Sequence, residues 1–449
     1  MDVDCLRLAK LELLRYFCRM TKRVLIITYY WPPSGGSGVQ RWVKFAKYLP
    51  SSGWQPVVYT PENPEMPSVD TSLYGDIPNE AEIIKAHISE IYSLYRKLTG
   101  AKKGGEVNPI NNQKKTFVQR LAMALRGNLF IPDPRTGWVG PSVRFLKKYL
   151  KEHPVDVIVS TGPPHSMHLI GLKLSRATGV PWVADFRDPW TKMFYFKHLQ
   201  LSNWAFRKHR KLEREVLDGA TRVIAVSPFV QKEFQDMTGT PVELITNGFD
   251  PEDFEQPLER DSYFNITHTG LFAADGNPDT LWEVLAEKCK EDMEFRDALR
   301  IRLSGKTDIQ IIESVRKAGL GAHLVDLGYR EHQIAVREQM NASMLILPLR
   351  KEPEYRSTLP GKLFEYLAAL RPVLGIGQKD GAMAAVLSET RAGEVYDWDE
   401  KDGMRAFVDR CWRLYKDGAD WNNTENIEKY SRKSTAAKLA SLLGSITEQ

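Results

Sequence analysis

Short apolar runs rich in β-branched residues recur along the chain, and the segments between them carry apolar residues every three or four positions. A run that is apolar at successive positions is a strand buried on both faces; the three-to-four spacing belongs to a helix lying on such a sheet. Residues 24–28, 55–60, 155–159, 181–186, 223–227 and 242–246 read as strands. A helix carrying Trp42, Val43, Phe45, Ala46 and Leu49 follows the first run, a second ends near Ala177, and 203–218 is a highly charged third. Asn247-Gly248 is a strong turn signal, and beyond it the pattern restarts. Strands are expected at 265–270, 299–303, 324–329, 344–347 and 373–376, with helices at 278–290, 309–318, 331–341 and 361–370 between them. Residues 402–417 and 426–445 also read as helical. The alternation predicts an α/β protein with two doubly wound parallel sheets.

Length agrees, since 449 residues exceed one ordinary domain. Hydrophobic content of 42% and charged content of 27% fit a globular chain. With 62 basic and 57 acidic residues the net charge is +5, which does not call for nucleic acid. Cys5, Cys18, Cys289 and Cys411 lack metal-ligand spacing and fit a reducing compartment. No apolar run is long enough to span a bilayer, so a cytoplasmic protein is expected. Residues 1–19 read as an extension ahead of Met20, with a peripheral membrane helix as the alternative.

Charge is uneven within 61–135, a less regular insertion. There Arg96, Lys97, Lys102, Lys103, Lys114, Lys115, Arg120 and Arg126 are interleaved with Tyr92, Tyr95, Phe117 and Leu121. An anionic membrane surface at the inner face of the plasma membrane and a solvated loop with local packing explain this equally well.

The candidate chemistry lies at strand ends. Pro360-Gly361 opens a helix whose first turns hold Lys362 and Glu365. Free N–H groups and the positive helix end attract phosphate there, Lys362 adds charge, and Glu365 can accept from sugar hydroxyls. The same residues would also suit a solvated helix start. Gly35-Gly36-Ser37-Gly38 lies between a strand and a helix, either a phosphate-approach loop or a plain turn; Gly36 and Gly38 are its candidates. His165 follows the strand at 155–159, and Asp185-Phe186-Arg187-Asp188 follows the next, so His165, Asp185 and Asp188 are catalytic candidates. An internal salt-bridge network is the competing reading of the Asp-Arg-Asp cluster.

Taken in order, the glycine loop, Val226-Ser227, 245–250, Val325-Asp326-Leu327-Gly328 and Phe364-Glu365-Tyr366-Leu367-Ala368 resemble the family 4 retaining glycosyltransferases, from about Met20 to Lys438. The resemblance implies the GT-B fold: an N-terminal Rossmann-like acceptor domain at 20–247, a C-terminal nucleotide-sugar domain at 248–424, and a C-terminal helix at 425–449, its packing back on the N-terminal domain left open. It implies a UDP-, GDP- or dTDP-sugar donor, a glycan or lipid-linked acceptor, no metal and no other cofactor. Glu365 matches the family's ribose-binding glutamate, while its partner glutamate falls on Ser357. Gly270 matches the glycine after the first C-terminal strand, but Leu271 stands where an arginine is usual. Gly361, Lys362 and Leu363 belong to a signature of envelope-polysaccharide transferases. Arg350 or Lys351 could replace missing charge, and Tyr329 and Arg330 would flank the base. A non-catalytic sugar-nucleotide-binding partner and a GT-B sugar-nucleotide epimerase are the alternatives.

Overall fold

The computed structural model describes residues 21–66, 69–88, 127–193, 196, 199–255, 261–421 and 423–448. Residues 1–19 and the basic run from Arg96 to Arg126 lie outside them. The chain divides into two compact units. One takes in the chain up to Val226, Val230–Ile245 and Ala436–Gln449; the other holds Ser227–Phe229 and Thr246–Thr435.

The first unit runs β1 (Lys22–Ile27), α1 (Ser37–Tyr48), β2 (Trp54–Pro61), β3 (Glu82–Ala86), α2 (Thr136–Glu152), β4 (Val157–Gly162), α3 (Ser166–Thr178), β5 (Trp182–Phe186), α4 (Asn203–Gly219), β6 (Arg222–Ala225), α5 (Pro228–Met237) and β7 (Val242–Leu244). Its strands form one parallel sheet, in the order β3-β2-β1-β4-β5-β6-β7. Successive side chains of a strand point to opposite faces. Thus Leu25 and Ile27 join Trp138 and Leu146 of α2 and Ile170 of α3 on one side. Val24 and Ile26 join Trp42, Val43 and Phe45 of α1 on the other, with Leu439 and Leu443. β3 was not legible: it lies at the sheet's edge, its Ile83 and Ile84 are only half-buried, and Glu82 and Lys85 give it a polar character.

The second unit runs β8 (Phe264–Thr269), α6 (Asp279–Glu291), α7 (Met293–Ala298), β9 (Leu299–Ser304), α8 (Ile309–Lys317), β10 (Leu324–Gly328), α9 (His332–Met340), β11 (Met344–Pro348), α10 (Gly361–Ala368), β12 (Val373–Ile376), α11 (Ala382–Thr390), β13 (Gly393–Tyr396) and α12 (Lys401–Lys416). Its parallel sheet has the order β10-β9-β8-β11-β12-β13. Ile266, Ile301 and Leu303 pack under α6, α8 and α12; Leu345, Leu347 and Val373 pack under α10 and α11. A last helix, α13 (Arg432–Thr447), starts in the second unit and ends in the first.

Each sheet has a point where the direction of winding reverses, between β1 and β4 in the first and between β8 and β11 in the second. Loops diverge at such a point and leave a crevice beyond the strand ends, where ligands of open α/β sheets bind.

Candidate active site

In the second unit, α10 begins beside the crevice at β8. Pro360 caps it with extended backbone and no side-chain hydrogen bond, and its first turn holds no acid. The Leu363 N–H is taken by the Pro360 carbonyl (3.0 Å), whereas those of Gly361 and Lys362 meet no acceptor among the described residues. Leu363 itself is core, packed with Phe364 and Leu367. This corrects its reading as a donor contact: the N3 position of α10 faces the sheet, and its N–H is used.

The Lys362 side chain turns back to β8. Its Nζ donates to the Leu271 carbonyl (3.1 Å) and lies 3.0 Å from His268 Nε2. Gly270 permits this approach, since a Cβ there would stand 3.3 Å from Nζ. Burial pushes the Lys362 ammonium down to about 7, with Glu365 acting in the opposite sense. Burial, and then the neighbouring ammonium, hold His268 well below the usual imidazole range. A neutral ring can accept at Nε2, which leaves the proton on Nδ1, an atom without a partner among the described residues. No carboxylate lies within ion-pair distance of Lys362 among the described residues. A cation is therefore held at a positive helix end with no ion pair among the described residues, and Glu365 acts on it only from beyond that distance.

Glu365 sits one turn on. Gln339 of α9, only 1% exposed, donates from Nε2 to Glu365 Oε2 (2.8 Å) and to Thr269 Oγ1 (3.0 Å). The Thr269 N–H donates to the Tyr366 hydroxyl (2.9 Å). One carboxylate oxygen is thus fixed by a buried network, and the other takes no hydrogen bond among the described residues. Gln339, Tyr366 and His268 were missed from the sequence. A glutamine between the buried Val336 and Met340 was the available signal, since a polar residue beside a helix's core face needs a partner.

The strand ends beneath are tied by glycines. The Gly270 N–H donates to the Ser304 carbonyl and the Gly305 N–H to the Gly328 carbonyl, both at 2.7 Å. Gly270 and Gly305 have φ of 83° and 132°. A Cβ on Gly305 would stand 2.3 Å from the Gly270 oxygen.

Other candidates fall elsewhere. Arg350 is paired with Asp275 at 2.7 Å, so its charge is already used. Ser357 donates to the Glu354 carbonyl (3.0 Å). Tyr329 and Arg330 lie exposed beyond β10 and make no hydrogen bond to the Lys362 group. Among the described residues an Asp-any-Asp triplet, Asp397-Trp398-Asp399, follows the edge strand β13, with two strands between it and β8.

In the first unit, Gly36 caps α1 with φ 109°, a conformation that favours glycine. His165 follows β4 and is 5% exposed, stacked on Trp190 at 4.7 Å with parallel rings. Neither ring nitrogen has a partner among the described residues, and burial, His168 and Arg187 hold the ring well below the usual imidazole range. Asp185 differs from its expected role. It is fully buried and accepts from Arg41 Nη2, Trp42 Nε1 and Thr161 Oγ1, each at 2.8 Å. Such a carboxylate holds the ends of β4 and β5 to α1 and has no room to serve an acceptor. Asp188 is half-buried, and burial raises its carboxyl above the usual range.

Residues 109–253 match the family model described as Glycosyltransferase Family 4. That stretch, less than half of the chain, is similar to the family 4 glycosyltransferases. No curated protein matches its sequence significantly. Among solved structures, the chain is similar to WaaG, "a glycosyltransferase involved in lipopolysaccharide biosynthesis", at 14% identity and a TM-score of 0.55, covering 94% of this chain and 99% of that one. It is also similar to S. aureus TarM in a complex that includes UDP, at 11% identity and a TM-score of 0.58 over 94% and 99% of the two chains. A UDP-forming α,α-trehalose-phosphate synthase from Burkholderia xenovorans, bound to glucose-6-phosphate, matches at 12% identity and a TM-score of 0.60 over 95% and 100%. These likenesses give the chain its fold, GT-B.

Proposed function

We propose that the chain is a glycosyltransferase that moves a sugar from a nucleoside diphosphate donor whose pyrophosphate sits at the start of α10. The observation that carries this reading is the Lys362 ammonium, poised against His268 and the Leu271 carbonyl with no carboxylate partner. An arriving pyrophosphate would supply the missing anion. As the diphosphate leaves with added negative charge, the free N–H groups of Gly361 and Lys362 and the Lys362 ammonium stabilise it without any reorganisation of the site. Gln339 holds Glu365 so that its second oxygen can accept from ribose hydroxyls. This chemistry does not require a metal, and retention of configuration is carried over from the family resemblance. UDP is the first base to try, because two structural neighbours are described with it.

The acceptor is a glycan or a lipid-linked glycan. The lipid-linked form is supported by α4, where Trp204 and Phe206 are exposed beside Arg207, Lys208, Arg210 and Lys211, a composition suited to an anionic bilayer surface. A reducing, cytoplasmic setting fits the free, buried Cys289 and Cys411.

The test is direct. Glu365→Ala should lower kcat/KM by roughly 100-fold if the carboxylate's charge-assisted hydrogen bonds to the donor are lost. Normal sugar transfer by a folded Glu365→Ala protein would end the assignment.

A further inference from the structure

A buried polar seam underlies Glu365 in the second unit. Gln339 lies on the core side of α9, between the buried Val336 and Met340, and is 1% exposed. Its Nε2 uses both protons, one on Glu365 Oε2 (2.8 Å) and one on Thr269 Oγ1 (3.0 Å). A carboxylate only accepts, which settles the amide's orientation. The Tyr366 hydroxyl closes the seam: it accepts the Thr269 N–H at 2.9 Å and lies 3.4 Å from Thr269 Oγ1. Burial raises that hydroxyl above its usual range, so it stays neutral. Among these side chains the charge is on Glu365.

A leucine at 339 would fill the same space with no polar group to satisfy. What the amide adds is control of a carboxylate. Glu365 is half-buried, and its Oε1 takes no hydrogen bond among the described residues. A carboxylate with both oxygens free turns to meet whatever hydroxyl arrives. With Oε2 held by Gln339, the carboxylate plane is set and Oε1 is presented at one fixed point. Thr269 relates that point to the pyrophosphate end of the seat, because Gly270 and Leu271 follow it and the Leu271 carbonyl holds Lys362. A ligand anchored at Lys362 thus meets one anionic acceptor atom at a set place. The adjacent 2′ and 3′ hydroxyls of a ribose can both donate to one carboxylate oxygen, which has two lone-pair sites. A 2′-deoxyribose offers only one such donor.

We infer that Gln339 is a positioning residue that makes the donor seat select ribose over 2′-deoxyribose. The inference rests on the reading of Lys362 and Glu365 proposed above. It narrows the donors that the family resemblance allows, keeping UDP- and GDP-sugars and setting dTDP-sugars aside. The preference arises because a site built to bond a hydroxyl keeps an underused anion when that hydroxyl is missing.

The experiment uses the full chain as wild type, Gln339→Leu and Gln339→Glu, each checked for folding by circular dichroism. Calorimetry measures binding of UDP, GDP, their 2′-deoxy counterparts and inorganic pyrophosphate. Wild type should bind the preferred ribonucleotide roughly tenfold or more tighter than its 2′-deoxy form, the effect of one hydrogen bond to a charged group. In Gln339→Leu that ratio should collapse toward equality, while pyrophosphate, which has no ribose, loses little affinity. A merely structural glutamine would weaken all three classes of ligand alike and leave the ratio as it was. Gln339→Glu adds a pH readout. Its new carboxylic acid can donate to Glu365 only while the two carboxyls share a proton. The ratio should therefore be restored at mildly acidic pH and lost at alkaline pH, whereas in wild type it stays flat. Should Gln339→Leu fail to fold, this pH dependence decides alone. Equal wild-type affinity for ribo and 2′-deoxy forms, or a wild-type ratio kept in folded Gln339→Leu or at every pH in Gln339→Glu, overturns the inference; pyrophosphate binding would then still support the seat at α10. A wild type that binds neither pyrophosphate nor any of the nucleotides overturns the seat itself and the inference with it.

Discussion

At the scale of single residues, charge is used in two ways. Asp185 and Arg41 are a closed pair, both fully buried at 2.8 Å, with the carboxylate also accepting from Trp42 and Thr161. Despite the upward push of burial, these partners hold the Asp185 carboxyl below the usual range. Its contribution to stability is therefore present above the ordinary carboxylate value and fades as pH falls below it. Asp185→Asn should destabilise the first unit by about 3–5 kcal/mol, because it strands the Arg41 guanidinium. Urea unfolding at neutral pH measures this, and an unchanged midpoint would contradict the assignment. Lys362 is the opposite case, an open charge. With its ammonium near 7 in the free protein, a bound diphosphate must raise that value, so binding takes up a proton. Affinity for the nucleoside diphosphate should thus weaken as pH rises above about 7. Calorimetry in two buffers of different ionisation enthalpy reads the uptake, and identical heats in both would refute it. The unfolded chain holds this proton more tightly than the folded one, so Lys362 costs stability at and below pH 7 and the cost fades as pH rises toward 10.5. Replacing it with methionine should raise Tm at neutral pH while abolishing donor binding.

At the scale of elements, the strand ends of the second unit depend on glycine. The Gly305 backbone passes so close to the Gly270 carbonyl that a methyl group has no place. Gly305→Ala should cost about 1–3 kcal/mol and weaken nucleoside diphosphate binding by shifting the turn that carries Leu271. A variant with wild-type Tm and wild-type binding would show that the turn can relax. The sequence made β1, β4 and β11 legible because strands buried on both faces carry unbroken apolar runs, Val24–Ile27, Val157–Val159 and Met344–Leu347, whereas β8, buried throughout but half polar, was marked mainly by the glycine at its end. It hid β3 and β13 because an edge strand is half-solvated, and their Glu82, Lys85 and Glu394 break the run. α2 was hidden because it starts directly after the irregular insertion and its Pro141 and two glycines imitate a loop. Within the site, Lys362 and Glu365 were legible from position in a helix start. Gln339 and His268 were not, because their partners come from elements remote in sequence.

For the whole molecule, two parallel sheets of seven and six strands share one chain, and α13 belongs to both units. Leu439, Ala440, Leu443 and Ile446 of that helix lie in the core with Val24 and Ile26 of β1. Burying each large apolar side chain contributes roughly 1.5–3 kcal/mol, so the three largest together rival the 5–15 kcal/mol that typically holds a domain. A chain ending at Thr435 should lose the protease resistance of its first unit. Equal resistance in the shortened chain would mean that the helix is dispensable there.

This placement of α13 also bears on synthesis. A ribosome adds about 5–20 residues per second, so roughly 10–40 s separate the appearance of Ile245 from that of Ala436. Through that interval the nascent first unit carries an open apolar seam that α13 later closes. A premature stop between Ile245 and Ala436 would thus leave the first unit without that helix and its apolar seam open to water.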